Sequence, residues 1–270
     1  MEQKHSISFS GDSLPRFYDE GLGPVIFADY AADLARRVAA AKPANVLEIA
    51  AGTGIVTRAL RDALDTSAKL IATDLSPAML EIARPKFRAE EAVAFQPADA
   101  LALPFADASF DVVACQFGIM FYPDKNQGNR EAFRVLKPGG RYIFSVWDAH
   151  RNVPFARLAH ELATRLFPAD PPQFMKVPFS YGFDAAQDSL VALGFSDVTA
   201  SVVAIDKPIP DTRLFATGVV GGSPFSDQLQ ARGMTIEPVI DQLTQEYDRA
   251  FGVPGRMPLR AIVFEARKPS

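Results

Sequence analysis

Asn45-Val46-Leu47-Glu48-Ile49-Ala50-Ala51-Gly52-Thr53-Gly54 is the stretch on which the reading of this chain turns. Val46, Leu47 and Ile49 form an apolar run that suits a buried strand. The run ends in small residues and two glycines, and Val56, Ala59, Leu60 and Ala63 then recur at helical spacing. Strand, glycine turn and helix together make a nucleotide-type cradle. Missing side chains let a ligand approach the backbone, and the helix start presents unpaired N–H groups. A dinucleotide fingerprint G-x-G-x-x-G laid on Gly52 and Gly54 asks for a third glycine at position 57, where this chain has Thr57.

Outward from this stretch, strands alternate with helices. Pro24 is expected to open a helix whose Phe27, Tyr30, Ala31, Leu34 and Val38 share one face, with Lys42-Pro43 ending it. Residues 1–16 read as a loose polar tail. Lys69 to Asp74 is the second strand; Ser76 suits an N-cap and Pro77 the first position of the helix that follows. Further strands are expected over Val93 to Gln96, Phe110 to Cys115 and Arg141 to Trp147, with a helix over Asn129 to Leu136 before the last of them. This alternation is the pattern of an α/β fold, a mostly parallel sheet covered on both faces.

Past Trp147 the rhythm changes. Helices are expected over Phe155 to Phe167, Ala185 to Leu193 and Ile236 to Phe251, and strands over Val198 to Ile205 and Arg260 to Glu265. The chain is read as one domain over 1–270, with a ligand-binding core at 17–150. Lid insertions are expected at 151–196 and 206–252, and closing strands at 197–205 and 260–268. The insertions are rich in Phe and Pro, which suits an apolar or aromatic small molecule more than a charged polymer.

Composition narrows the class. With 270 residues, 48% of them hydrophobic, the chain can bury a large core. A net charge of −4 argues against a protein that works mainly by neutralising nucleic-acid phosphates, so no nucleic-acid partner is expected. Cys115 is the single cysteine, which removes internal disulfides and multi-cysteine metal sites; no metal is expected. The N-terminus lacks the apolar core of a signal peptide, and no apolar run is long enough to cross a bilayer. A soluble cytoplasmic enzyme without membrane insertion is expected. Its oligomeric state stays open, with a homodimer among the options.

Asp74 ends the second strand twenty positions after Gly54. A carboxylate there offers two oxygens to the two hydroxyls of a ribose, a placement common to several nucleoside binders. Read from Glu48 to Gly54, the opening stretch is Glu-x-Ala-x-Gly-x-Gly. It resembles the first motif of class I S-adenosylmethionine-dependent methyltransferases, E/D-x-G-x-G-x-G, with Ala50 in place of the first glycine, a change the turn is expected to absorb. A second block, Asp99-Ala100-Leu101-Ala102-Leu103-Pro104-Phe105 followed by Ser109-Phe110-Asp111-Val112-Val113, is similar to the "D-a-x-x-L-P-F…S-F-D-x-V" run of type 11 small-molecule methyltransferases. That branch includes ubiquinone and menaquinone biosynthesis enzymes. Leu136-Lys137-Pro138-Gly139-Gly140 matches the family's later block, and the resemblance covers about residues 45–147.

The resemblance implies a Rossmann-like doubly wound seven-stranded sheet with an antiparallel last strand. It also implies S-adenosylmethionine as methyl donor, S-adenosylhomocysteine as product, and a small-molecule acceptor methylated at oxygen, nitrogen or carbon by in-line displacement. Carried over, Glu48, Gly52, Thr53 and Gly54 would hold the methionine end, Asp74 the ribose, and Asp99 the adenine amino group. Leu75, Met79, Ala100 and Gln116 would complete the cofactor contacts. Phe117, Met120, Phe121, Tyr122 and Trp147 are candidates for an apolar cup, and Tyr18 and Tyr30 for closing over it.

His150, three residues past the fifth strand, is the candidate general base, since imidazole titrates near neutrality. Cys115 follows Val112-Val113-Ala114 inside an apolar strand and reads as a structural thiol. The family's DNA-modifying branches are set aside because their [DNS]-P-P-Y and Pro-Cys signatures are missing at the corresponding places. Two competitors stay open on sequence: an NAD-dependent oxidoreductase, which shares the strand–glycine–helix cradle, and a non-catalytic S-adenosylmethionine-binding protein.

Overall fold

A computed structural model describes residues 14–270. The polar stretch 1–13, with His5 and the region judged for a signal peptide, lies outside the described residues. Seven strands form one sheet in the order β3-β2-β1-β4-β5-β7-β6. They are β1 (Asn45–Ile49), β2 (Lys69–Asp74), β3 (Val93–Pro97), β4 (Phe110–Gln116), β5 (Leu136–Trp147), β6 (Ser196–Ile209) and β7 (Gly255–Arg267). Neighbours from β3 to β5 pair in parallel, and β7 runs antiparallel to both β5 and β6. The expected doubly wound sheet with an antiparallel last strand is the one found.

Val46, Leu47, Val113 and Ala114 are fully buried because both faces of the central strands are covered. On the helical side lie α2 (Ala28–Ala40) and α3 (Ile55–Ala63); Leu34, Val38, Val56 and Leu60 pack there against Val46 and Leu70. The chain leaves β1 toward β2 on one side and returns to β4 on the other. That reversal opens a crevice at the carboxyl ends of β1 and β4, where ligands of open α/β sheets bind.

The N-terminal region differs from expectation. Pro24 does not open a helix. One helical run extends from α1 (Leu14–Phe17) through a π-helical segment (Tyr18–Phe27) into α2, so residues 14–16 are helix and not tail. Wider π turns, closed by bonds such as Ala28 N–H to the Gly23 carbonyl, let Pro24 sit inside the run without ending it.

The closing strands also run longer than the sequence suggests. β6 reaches Ile209 and β7 starts at Gly255, so residues 206–209 are strand and not insertion. β5 takes in the Lys137-Pro138-Gly139-Gly140 segment through a register shift, with Leu136 opposite Phe110 and Arg141 opposite Val112.

Between β6 and β7 the chain builds α8 (Thr212–Gly221), α9 (Phe225–Gln230) and α10 (Ile236–Phe251). The helix α8 lies against the π-helical segment with almost no side chain between them. A Cβ added at Gly218 would fall 2.8 Å from the Gly21 carbonyl carbon and 2.9 Å from the Leu22 nitrogen. Only glycines permit that approach, and it seats the N-terminal helix over the carboxyl edge of the sheet. Gly218→Ala is therefore expected to lower stability by about 1–3 kcal/mol through overpacking. In thermal denaturation, Gly23→Ala in the same segment should be tolerated, since its added carbon meets only the movable Ile55 Cδ1.

Candidate functional site

The loop after β1 carries three residues in the left-handed region: Ala50 (φ +57°), Gly52 (φ +56°) and Gly54 (φ +83°). Glycine takes such angles freely; an alanine there costs about 1–2 kcal/mol. The turn absorbs Ala50 because residue 118 is glycine: a Cβ at Gly118 would lie 2.4 Å from the Ala50 Cβ. At Gly54 an added Cβ would meet the Ala83 Cβ at 2.9 Å, so this glycine lets α3 begin against α4 (Pro77–Ala83). At Gly52 the nearest atoms belong to the Tyr18 ring, 3.9 Å away, so the cradle lies directly beneath that phenol.

Asp74 ties this loop to the next one. Its Oδ2 accepts the Gly52 N–H at 2.8 Å and its Oδ1 the Ser76 N–H at 2.8 Å. Burial raises its pKa against the pull of those N–H groups. A carboxylate has about four lone-pair sites, so capacity remains for two further donors. Beyond it, Leu75 is 71% exposed, unusual for a leucine flanked by a buried strand. On the adjacent strand, Ala98 N–H bonds the Asp74 carbonyl, which places Asp99 and Ala100 on the same rim. The Asp99 carboxylate is exposed and accepts the Leu101 N–H at 2.8 Å; Ala100 and Met79 are buried.

Glu48 lies deepest, with its side chain buried and Oε2 lacking any protein partner among the described residues. Burial pushes its carboxyl up to about 8, the Thr57 hydroxyl opposing the rise and the Asp74 carboxylate adding to it. Thr57, buried beside it, occupies the position where a dinucleotide fingerprint has its third glycine. Gln116, at the end of β4, donates from Nε2 to the Phe27 carbonyl at 3.2 Å, and its buried Oε1 likewise has no partner. Thr53 donates its hydroxyl to Asp19 Oδ1 at 2.6 Å, and Lys86 Nζ reaches the same oxygen at 2.5 Å. This carboxylate latches the N-terminal helix across the glycine loop.

Two hollows meet at a wall of two rings. The smaller, about 270 Å³, is bounded by Ala50, Ala51, Thr53, Ile55, Val56 and Gln116. The larger, about 590 Å³, is bounded mainly by Phe117, Met120, Phe121, Trp147, Phe155, Phe174, Met175 and Phe179, with Leu22, Ile26, Val219, Gly222 and Ser223 above. Tyr18 and Phe27 line both, stacked with ring centroids 4.9 Å apart. Gln116 and Phe117 are consecutive, yet one lines the small hollow and the other the large. Phe117 achieves this at φ +53°, held by a parallel stack on Trp147 at 4.1 Å. Strain of this kind is of order 1–3 kcal/mol and persists only where packing enforces it.

The structure does not gather every residue named from sequence. Tyr30 is buried one layer back, edge-on to Phe117 and Trp147, with its hydroxyl on the Val203 carbonyl at 3.4 Å. Tyr122 sits beside the buried Cys115 thiol, oxygen and sulfur 3.5 Å apart, and does not line the cavity. His150 does not bound the cavity either: it packs edge-on against Phe179, centroids 4.9 Å apart, and burial lowers its pKa. Asp19, Leu22, Ile26, Phe27, Met175, Val219, Gly222 and Ser223 were not marked as site residues by sequence reasoning. Only the apolar helical stripe hinted at Phe27; the others carry no local signal.

Residues 47–144 match the family model described as a methyltransferase domain. Over these residues, about a third of the chain, the sequence is similar to a methyltransferase domain. It is 41% identical over 114 residues to the demethylmenaquinone methyltransferase of Deinococcus radiodurans, covering 40% of this chain and 47% of that protein. It is 32% identical over 136 residues to the ubiquinone/menaquinone biosynthesis C-methyltransferase UbiE of Geotalea daltonii, covering 49% and 58%. The chain thus spans about half the length of the curated relatives it matches.

Among solved structures, Haemonchus contortus phosphoethanolamine N-methyltransferase 2, crystallised with phosphomonomethylethanolamine and S-adenosylhomocysteine, aligns with a TM-score of 0.63. The identity is 17%, over 96% of this chain and 58% of that one. The Bacillus subtilis YcgJ protein aligns at 0.58 and 21% identity, over 90% of this chain and 99% of that one. At these identities the structural likeness speaks to the fold alone.

Glu48 gives the domain a pH signature. Its carboxyl titrates near 8 when folded and near 4.5 in its ordinary state, so between these values unfolding releases a proton and stability falls as pH rises. Asp74, also raised, adds to the same trend. Urea denaturation of the ligand-free protein should give a lower unfolding free energy at about pH 8 than at about pH 5. Glu48→Gln, which cannot ionise, should flatten that difference.

Proposed function

We propose that this chain transfers the methyl group of S-adenosylmethionine to a small apolar or aromatic acceptor, releasing S-adenosylhomocysteine. The observation that carries the reading is the paired hollow: a pocket at the glycine loop and an aromatic cavity that adjoin, sharing Tyr18 and Phe27. The partnerless oxygens of Glu48 and Gln116 fit a ligand with an ammonium group, and the bare backbone at Gly52 fits close approach of a chain without side groups. Bound there, the donor would supply a methyl carbon on a sulfonium, already electrophilic.

The chain's own residues would then bind and align. Asp74 would take the ribose hydroxyls, the exposed face of Leu75 would cover one side of the adenine, and Asp99 would accept from its amino group. Glu48, Thr53 and Gln116 would hold the methionine end. The aromatic walls would keep water from the acceptor and set its plane, which is the main help an in-line displacement needs. The segments 151–196 and 206–252 act in this reading as the lid over the acceptor; Phe155, Phe174 and Phe179 come from the first, Val219, Gly222 and Ser223 from the second. The names of the relatives, joined to these aromatic walls, favour a quinone-type ring as acceptor over a charged polymer. With no imidazole among the described residues that bound the cavity, we assign His150 a packing role beside Phe179 and not that of base.

Thermal denaturation with S-adenosylmethionine or S-adenosylhomocysteine tests this reading. Either ligand should raise the melting temperature, since only the folded chain binds it. Asp74→Ala should weaken both by roughly tenfold or more, the scale of a lost hydrogen-bonded carboxylate. NADH should leave the melting temperature unchanged. No shift with either S-adenosyl compound at millimolar concentration would overturn the proposal.

A further inference from the structure

The large cavity is bounded by side chains that carry no charge at neutral pH among the described residues. Its polar groups are the hydroxyls of Tyr18 and Ser223 and the indole N–H of Trp147. The Ser223 hydroxyl donates to the Val219 carbonyl at 2.8 Å, so its proton is committed. The Tyr18 phenol is driven far above its ordinary range by burial first and then by the Asp74 and Asp19 carboxylates, so it keeps its proton and cannot take another group's. The imidazole of His150 packs edge-on against Phe179 and is not among the residues bounding the cavity. Walls of this kind neither remove a proton from an acceptor nor neutralise a charged one.

Two consequences follow for an acceptor in this cavity. An amine would acquire a positive charge on methylation and would have to shed a proton where none of these walls takes it. A neutral phenol would need a base before its oxygen or ring carbon became a competent nucleophile. An acceptor that enters as an anion needs neither service. Its lone pair forms the bond to the methyl carbon as the carbon–sulfur bond breaks and leaves its electrons on sulfur. Anion and sulfonium become two neutral products, and no proton moves in the transfer itself; a methylated ring carbon afterwards gives up its hydrogen as the oxygen regains one, a tautomerisation with no net proton taken up or released. Apolar surroundings favour such charge annihilation, because the separated charges are poorly solvated there while their mutual attraction is strong.

We propose that the aromatic cavity selects an acidic phenol or enol bound as its anion, and that, with no cationic side chain among the described residues bounding it, the cation facing the acceptor is the cationic centre of the cofactor, presented where the two hollows adjoin at Tyr18 and Phe27. This rests on the methyltransferase reading and narrows it: oxygen and carbon acceptors of low proton affinity are favoured, amines are not. The acceptor site is also complete only once the small hollow holds a positively charged ligand.

The test uses 4-nitrophenol, whose ionised form absorbs visible light, and two S-adenosyl ligands that transfer no methyl group. Sinefungin carries an ammonium in place of the sulfonium; S-adenosylhomocysteine carries a neutral sulfur. Binding of each ligand alone is measured first by calorimetry. The phenol is then titrated into each complex, with 4-nitrotoluene as a neutral isostere. We expect the phenol to bind at least about tenfold more tightly to the sinefungin complex, and to be bound there as phenolate at a pH where the free phenol is mostly protonated. The isostere should bind both complexes alike. Equal affinity of the phenol for the two complexes, binding as the neutral phenol in both, or binding to neither would overturn the inference while leaving methyl transfer standing. Failure of both S-adenosyl ligands to bind in the first step would instead overturn the methyltransferase reading beneath it.

Discussion

The Asp74 carboxylate, accepting one backbone N–H from the loop after β1 and one from the loop after β2, is the constraint on which the site depends. Each of those loops leaves the sheet at its carboxyl edge with unpaired donors. Joining them through one side chain fixes the separation between the glycine turn and the rim that carries Leu75, Asp99 and Ala100. Burial raises the pKa of this carboxyl and the backbone N–H groups oppose that rise, a stabilisation of the charged form that does not require a cation which a ligand would then have to displace. The left-handed turn itself is tolerated because Gly118, across the crevice on the loop after β4, yields space to the Ala50 methyl.

On this fixed edge the chain builds two environments that would destroy each other if merged. Water drawn toward Glu48 and Gln116 would wet the aromatic cavity, and apolar side chains reaching the other way would strip those carbonyl and carboxyl oxygens of partners. The separation comes from the N-terminal helix. Tyr18 and Phe27 lie nine positions apart on a run that includes wide π turns, and their stacked rings line both hollows where these adjoin. Asp19 pins one end of that run to Thr53 and Lys86, while glycine-to-glycine contact with α8 pins its back. The cover of the glycine loop and the roof of the aromatic cavity are therefore joined through backbone contact, not through adjustable side chains.

How much of this was legible follows from how local each cause is. The strand β1, its glycine turn, β2 with Asp74, and α10 (Ile236–Phe251) were readable because apolar period, capping residues and breakers agree within a few positions. The N-terminal helix was misread because Pro24 ordinarily starts or ends a helix, and nothing local announces a π segment that accommodates it. The early part of β7 was missed although Met257 and Leu259 alternate with Arg256, Pro258 and Arg260 in strand fashion. Pro258 and Pro208, facing regions of the same pair of strands, obscured the pattern. His150 was chosen for its chemistry and its place after β5, both sound, but Phe179 lies 29 residues further along, and only packing could show that ring, and not the imidazole, bounding the cavity. The same holds for Asp19, whose role exists only once three distant segments meet.

The remaining question is why a chain would keep Glu48 buried with an unpaired oxygen, Gln116 likewise, and Phe117 and Ala50 at positive φ. Each buried polar atom without a partner costs about 1–3 kcal/mol, and each strained residue a comparable amount. Together these approach the whole net stability of an ordinary domain, so they survive only because the core is large. One continuous cluster runs from Leu22 through Phe144 and Tyr247 to Phe264 and absorbs the local losses. Gln116 and Ala50 bound the small hollow and Phe117 the large one, with Glu48 on the strand that leads into the same loop. A fold optimised for stability alone would have an apolar residue at 48 and a glycine at 50; holding polar, partnerless groups there makes sense only if a ligand completes them, and the energy released on completing them is then available for binding.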